Sequence, residues 1–415
     1  MVAPLTRTWS GAPEIAQGPQ MKQTARALPR LGNADIAELT DWRRLLHRHP
    51  EVSGEEAETA RRVAAVLRAT GPDRIVTGLG GHGVAAIYEG AAPGPRVLLR
   101  CELDALPIEE RSDAAHRSTV PGKGHLCGHD GHMAMIAAMA RLLGRTRPAR
   151  GAVILMFQPA EEDGSGAARV ISDPGFADLR PDFAFAIHNM PGMPLGHVAL
   201  AAGPSACASR GMRLRLTGRT AHASQPETGL SPMPALAHLM PALTALGQGD
   251  PINDPGFALA TVTHARLGTP AFGIAPGEAD LFVTLRSLTD DRMERLIAEA
   301  ESLVREAAAG AGLEADISYE DVFVTTTSDA GAVAIAVRAL DRLGVSHGPG
   351  PLPMRPSEDF GRFGTGAALA FLLLGAGEDR PALHNPDYDF PDDLIPVGAT
   401  IFSALIEEIL GYAHA

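Results

Sequence analysis

Cysteine is scarce: the 415 residues hold three, Cys101, Cys127 and Cys207. Three cannot make a paired disulfide framework, so a reducing compartment is expected. Basic charge is also short. Lys and Arg number 36 against 49 Asp and Glu, a formal net charge of −13, which argues against nucleic acid or an anionic membrane as partner. No run reaches the ~18 uninterrupted apolar residues of a membrane span. No apolar signal segment opens the sequence, and the cytoplasm is therefore the expected location. There is no internal repeat. Low complexity is confined to the start, where Pro4, Pro13, Pro19 and Pro29 among scattered charges mark residues 1–32 as a poorly ordered extension.

What is present is an ordinary globular composition, 45% hydrophobic and 20% charged, in a chain long enough for two domains. Its most distinctive stretch is Gly124-His125-Leu126-Cys127-Gly128-His129-Asp130-Gly131-His132, followed by an apolar run from Met133 to Leu143. Thiolate, imidazole and carboxylate are the side chains that ligate zinc, manganese, cobalt or nickel, and the glycines let the backbone turn sharply. Read alone, such a stretch is better explained by a polar loop capping a helix, with Cys127 a small buried apolar residue. Further ligands elsewhere would decide between the two.

The rest of the chain supplies them. Asn33 is read as the cap of a helix ending before Pro50, and Ser53-Gly54-Glu55-Glu56 as a capping box for a second helix closed by Gly71. Strands are expected at Val84–Tyr88, Arg96–Leu99, Ala152–Phe157, Phe183–Ile187 and Ala368–Leu374, with helices at Met133–Leu143, Ala330–Leu343 and Val397–Tyr412. Several of these apolar strands hand over to an acid or a histidine: Asp104, then Glu161 and Glu162, then His188, and last His384. In open α/β sheets, ligands bind outside the carboxyl ends of the strands. Between Arg210 and about Tyr319 the order is strand, helix, strand, strand, helix, strand, with caps read at Ser231 and Asp290. That is the ferredoxin-like split unit. The expected organisation is a catalytic α/β domain in two parts, 33–209 and 323–415, interrupted by an α+β lid or dimerisation domain at 210–322.

Together these strings resemble the aminoacylase/carboxypeptidase family of metal-dependent amidohydrolases, in the branch of hippurate hydrolases and indole-acetyl-amino-acid hydrolases. The matching strings are Leu46-His47-Arg48-His49-Pro50-Glu51, Asp104-Ala105-Leu106-Pro107, His125 to His132, Phe157-Gln158-Pro159-Ala160-Glu161-Glu162, Ser357-Glu358-Asp359-Phe360 and His384-Asn385-Pro386. The resemblance implies hydrolysis of the amide of an N-acyl amino acid or a related acyl or aryl amide. It implies Cys127, His129, Glu162, His188 and His384 as ligands of two divalent ions (Zn, Mn, Co or Ni), with Cys127 as the bridge. Glu161 would serve as general base and acid, with Asp104 beside the ligands. His222, in Gly218-Arg219-Thr220-Ala221-His222, would stabilise the oxyanion, commonly in the partner of a homodimer. Arg286 would hold the substrate carboxylate. A dipeptidase or carboxypeptidase of the same fold is the nearest alternative; a non-catalytic binding protein would lack Glu161. Three departures stand out: Glu102 where the family's first acid is Asp, Gly273-Ile274-Ala275-Pro276 where relatives carry Asn-Val-Ile-Pro, and Pro241, expected to interrupt the first lid helix.

Overall fold

A computed structural model describes residues 28–251 and 254–413. Most of the expected N-terminal extension lies outside the described residues; Leu28 and Leu31, at its end, pack against the main core.

Two sheets organise the fold. The larger has eight strands, and at its centre lie four parallel ones in the spatial order Arg150–Gln158, Ala92–Glu102, Phe183–Met190 and Ala368–Gly375. Gly83–Glu89 adds antiparallel to the first of these, with Arg74–Leu79 outside it. Side chains along the central strands alternate between two covered faces. Val97, Leu99, Val153, Leu155 and Phe157 enter one core, while Leu98, Ile154 and Met156 enter the other. Because both faces are buried, the strands read as unbroken apolar runs. Helices Asn33–Arg48, Ala57–Arg68, His129–Arg145, Ala330–Leu343 and Leu394–Ile409 cover the first face. Gly166–Ser172 and two short 3₁₀ turns cover the second.

The smaller sheet has four antiparallel strands in the order Ala258–Leu267, Glu278–Ser287, Ala208–Thr217, Glu314–Phe323. Helices Met233–Thr244 and Asp290–Ala311 pack on it around a separate core that includes Met212, Leu214, Leu239, Leu281 and Leu296. This is the ferredoxin-like arrangement expected from the element order. The fold is α/β with an α+β unit between its parts. Among the described residues no helix is long and apolar enough to cross a membrane.

Caps moved where strands did not. The helix expected from the Ser53 box begins at Ala57 behind Glu56, which makes no side-chain cap bond. The Glu51 carboxylate instead accepts from the amides of Glu58 and Thr59, and the Ser53 hydroxyl donates to Asp104 at 2.7 Å. Thr289 rather than Asp290 caps the second lid helix, accepting from the Arg292 amide. Pro241 does not interrupt its helix, which continues to Thr244; a proline there removes one backbone donor without ending the helix. A cap is worth about 1 kcal/mol, whereas burying one large apolar side chain is worth roughly 1.5–3 kcal/mol. Packing therefore fixes the elements, and the caps adjust.

One buried ion network ties the first helix to the rest. Arg43 donates to Asp130 (3.0 Å), Asp389 (2.6 Å) and Asp392 (2.9 Å). The His47 ring lies between Asp130 (2.9 Å) and Glu110 (3.2 Å). Burial alone would lower the His47 pKa, but Asp130 and Glu110 outweigh it and raise it to about 9. A base raised in the folded state contributes stability that is full below about 6.5 and is lost as pH rises through 9. We expect His47→Gln to be destabilised relative to the parent by roughly 3 kcal/mol at pH 6, with the gap narrowing towards pH 10 in thermal melts. A gap independent of pH would mean a neutral imidazole.

Candidate functional site

The carboxyl ends of the four parallel strands lie along one edge of the large sheet, and each delivers its expected residue there. After Ala92–Glu102 comes Asp104, fully buried, its carboxylate accepting from the Ser53 hydroxyl and from the Glu162 amide at 3.0 Å. After Arg150–Gln158 the chain turns through Ala160, at φ 50°, whose amide donates to Glu56 at 2.8 Å. Glu161 and Glu162 follow that turn. His188 sits within Phe183–Met190, near its end. His384, on the loop after Ala368–Gly375, is held at φ 67° with its amide donating to the Leu126 carbonyl at 2.8 Å. Non-glycine residues in this region carry strain and cluster at functional sites.

Cys127 and His129 flank Gly128, the residue preceding helix His129–Arg145. Gly128 has φ 91°, and a Cβ there would fall 2.2 Å from the Asn189 side-chain oxygen. Only glycine permits both the left-handed turn and the close approach. The turn brings thiol and imidazole to the same point.

The donors converge. Cys127 Sγ is 3.5 Å from His188 Nε2, His129 Nε2 is 3.8 Å from Glu162 and 3.9 Å from Glu161, and His384 Nε2 is 3.7 Å from Glu162. Cys127, His129 and His188 form one group of ligand atoms mutually within 4.8 Å; Cys127, Glu162 and His384 form a second. Cys127 belongs to both. The remote ring nitrogens are anchored, His129 Nδ1 at 2.9 Å from the Asp104 carbonyl and His188 Nδ1 at 2.8 Å from the Asn189 carbonyl. Such contacts fix which nitrogen faces a metal. Among the described residues, Asp104 Oδ1, His129 Nε2 and Glu162 Oε1 are buried with no hydrogen-bond partner. An unpaired buried polar atom costs ~1–3 kcal/mol, and two of these, His129 Nε2 and Glu162 Oε1, face each other at 3.8 Å, which fits a cation bound by mixed S, N and O donors.

The electrostatics agree. Burial pushes the Glu161 carboxyl well above the usual range, and Glu358 and Glu162 push it further. Glu162 rises to about 7, chiefly through burial, with Asp104 and Glu358 adding to it against the pull of His129. Burial drives His188 down to about 3, with His132 reinforcing it. This much buried negative charge is unstable as it stands, and divalent ions would relieve it.

A cavity of about 380 Å³ opens onto the donors and includes Cys127, Glu161, Glu162, His188 and His384 in its walls. Arg286 reaches it from the smaller sheet, donating to the Ser357 hydroxyl (2.8 Å) and the Arg355 carbonyl (3.2 Å). His222 does not. It is exposed, pairs with Ile274 in a two-residue ribbon and bonds to Ser224 outside the cavity. Sequence reasoning assigned no role to Glu358, a buried cavity residue 2.8 Å from the buried Arg100 guanidinium, although its string was recognised. It also passed over Asn189 and gave Glu102 no role; the two hold the His132 ring from either side at 2.5 and 2.6 Å. Only the fold reveals these partners.

The family model of peptidase family M20/M25/M40 matches residues 98–408, from the strand before Asp104 to the last helix. Thermostable carboxypeptidase 1 of Saccharolobus solfataricus is 30% identical, over 89% of this chain and 96% of the relative. IAA-amino acid hydrolase ILR1-like 5 of Arabidopsis thaliana is 28% identical, over 89% and 87%, and N-acetylcysteine deacetylase of Bacillus subtilis 26%, over 90% and 97%. The crystal structure of the Bacillus subtilis YXEP protein, described as a dinuclear metal binding peptidase, superposes with a TM-score of 0.76 at 25% identity, covering 91% of this chain and 98% of that one. The matched segment contains all four strand exits and every proposed metal ligand, and the chain belongs to peptidase family M20/M25/M40.

Proposed function

We propose that the protein is a dinuclear metal-dependent amidohydrolase cleaving N-acyl amino acids or related acyl and aryl amides. The observation that carries the reading is the clustering of the ligand atoms of Cys127, His129, Glu162, His188 and His384, four of these residues in the wall of one cavity, with His129 Nε2 and Glu162 Oε1 buried and unpartnered. Relatives named as an IAA-amino acid hydrolase and an N-acetylcysteine deacetylase support the substrate class. A carboxypeptidase among the relatives supports a peptide-cleaving alternative. The two separate in one screen: N-acetyl-, N-benzoyl- and N-indoleacetyl-amino acids against dipeptides, each with Mn, Co, Zn and Ni. Cleavage of the acylated amino acids supports the first reading, and a strict need for a free amine the second.

Two divalent ions held by the five ligands would polarise the amide carbonyl and make water more acidic. Glu161, next to Glu162 in sequence yet outside the ligand set, takes the proton from water and delivers it to the leaving nitrogen. Burial and the neighbouring carboxylates raise its pKa, which makes it a stronger base than a free carboxylate. Asp104 orients His129, and Arg286 binds the substrate carboxylate.

The division at 33–209, 210–322 and 323–415 belongs to the same proposal: a catalytic domain in two parts and a lid that pairs with a second copy. His222 lies outside its own cavity, beside the exposed Phe272 and Ile274, as a residue contributed to a partner's site would. Three unpaired cysteines accord with the cytoplasm.

Glu161→Gln is expected to keep its metal and lose ~10²–10⁴-fold in turnover; metal analysis beside kinetics checks this, and retained activity would move the base elsewhere. Cys127→Ser is expected to lose more metal on dialysis than His132→Ala, whose ring only supports the ligands, at ~10–100-fold in affinity. The opposite order would exchange their roles. His222→Ala is expected to lose ~10²-fold in rate with unchanged metal content. Mixed with Glu161→Gln under subunit exchange, it should regain activity through one intact composite site. A monomer, or exchange without recovery, would refute sharing.

A further inference from the structure

The cavity has a second charged wall, of which the amide chemistry uses Arg286 alone. Three strands of the smaller sheet line it with residues two apart: Ser209 and Gly211, Thr284 and Arg286, Asp321 and Phe323. Arg286 stands opposite Ser209, which stands opposite Phe323. Between Glu320, opposite Gly211, and Phe323 the register slips by one residue. Without that slip Val322 would stand opposite Ser209. The bulge removes an apolar side chain from this wall and admits Asp321, at φ 50°, and bulges beside active sites typically re-aim a side chain in this way.

The bulge is a built feature. Its freed carbonyls are satisfied, Val322 by Arg362 at 3.1 Å and Phe323 by Arg210 at 2.7 Å. The Phe323 ring packs on Gly164, where a Cβ would come within 2.9 Å of it. That contact pins the strand end against the loop carrying Glu161 and Glu162. Among the described residues no hydrogen bond or ion pair engages the Asp321 carboxylate, and no carboxylate pairs with Arg286. The cavity thus presents an uncompensated anion and an uncompensated cation on strands two apart, about 10 Å across the sheet.

Resting on the amidohydrolase reading, we propose that Asp321 is a specificity-determining residue. It selects substrates that carry an ammonium or guanidinium group besides the carboxylate bound by Arg286. That cation has two possible sources: the side chain of the released amino acid, or the acyl half.

Two matched pairs distinguish the sources. Nα-acetyl-lysine and Nα-acetyl-norleucine differ by a cation on the amino acid; glycyl-leucine and N-acetyl-leucine differ by one on the acyl half. The metal-loaded protein is expected to prefer the cationic member of one pair by about two- to fivefold in kcat/KM, the range of an exposed ion pair. Asp321→Asn should abolish that ratio, and raised salt should shrink it. The affected pair identifies the source. Calorimetric binding of the same compounds to Glu161→Gln, with and without Asp321→Asn, should show the same discrimination without turnover. Hydrolysis of the neutral amides with equal ratios in both proteins would overturn the Asp321 assignment alone. Discriminating binding without hydrolysis by the parent would uphold Asp321 and remove the amidohydrolase reading. Absence of both would remove the two together.

Discussion

Arg100 is fully buried at the end of a central strand, with its guanidinium against Glu102, Glu358 and Asp359. It is one guanidinium among carboxylates that also include Asp104, Glu161 and Glu162 at the same edge of the sheet. Buried charges of one sign are tolerated only when compensated. Much of the architecture at this edge of the sheet serves that need. Glu102 is balanced by Arg100 and in turn holds His132; Glu358 is held on the same guanidinium and faces the cavity. Asp359, raised by burial to about 7, accepts from the Gln158 amide and the Ala167 backbone. Among the described residues no guanidinium or ammonium pairs with Glu161 or Glu162; their neighbours are the imidazoles of His129 and His384, and they stand in the donor set.

A second ionic cluster, on the far side of the Cys127 turn, solves a different problem. Arg43, His47 and Asp130 are buried where the first helix meets the helix that begins at His129. Their pairing fixes the first turn of the His129 helix from behind, while the Asp104 carbonyl fixes His129 from the front. A ligand helix clamped from both sides loses little freedom when it binds, which favours affinity. Arg43 at the heart of this cluster also makes it a poor cation site, although His47, His116 and Asp389 lie close enough together to suggest one.

The sequence announced the strands and most of the donors because burial and ligand chemistry leave marks on residue type. Runs such as Ala152–Phe157 have no polar face, so their exits could be located to within a few residues. Cys127, His129, Glu162, His188 and His384 are the residue types that bind borderline metals; Glu162, His188 and His384 lie near strand ends, and Cys127 and His129 where a glycine turn opens a helix. Caps were less legible: the Ser53 hydroxyl turned to Asp104, and Glu51, from outside the box, capped the helix. The charged lining of the cavity was least legible. Asp321 enters it only because two strands slip by one residue, and Glu358 matters through a guanidinium 258 positions earlier in the chain. Neither the slip nor that pairing has a local signal. His222 was recognisable by its string, but its place outside its own cavity follows from the lid's packing alone.

In the proposed mechanism these ligands hold two ions, and hydrolysis depends on them. Calorimetric titration of chelator-treated protein with Mn or Zn, with amide cleavage followed in the same samples, tests it most directly. Two equivalents per chain are expected, with cleavage that returns only as they fill. Saturation at one equivalent or none, or full cleavage by the metal-free protein, would contradict it.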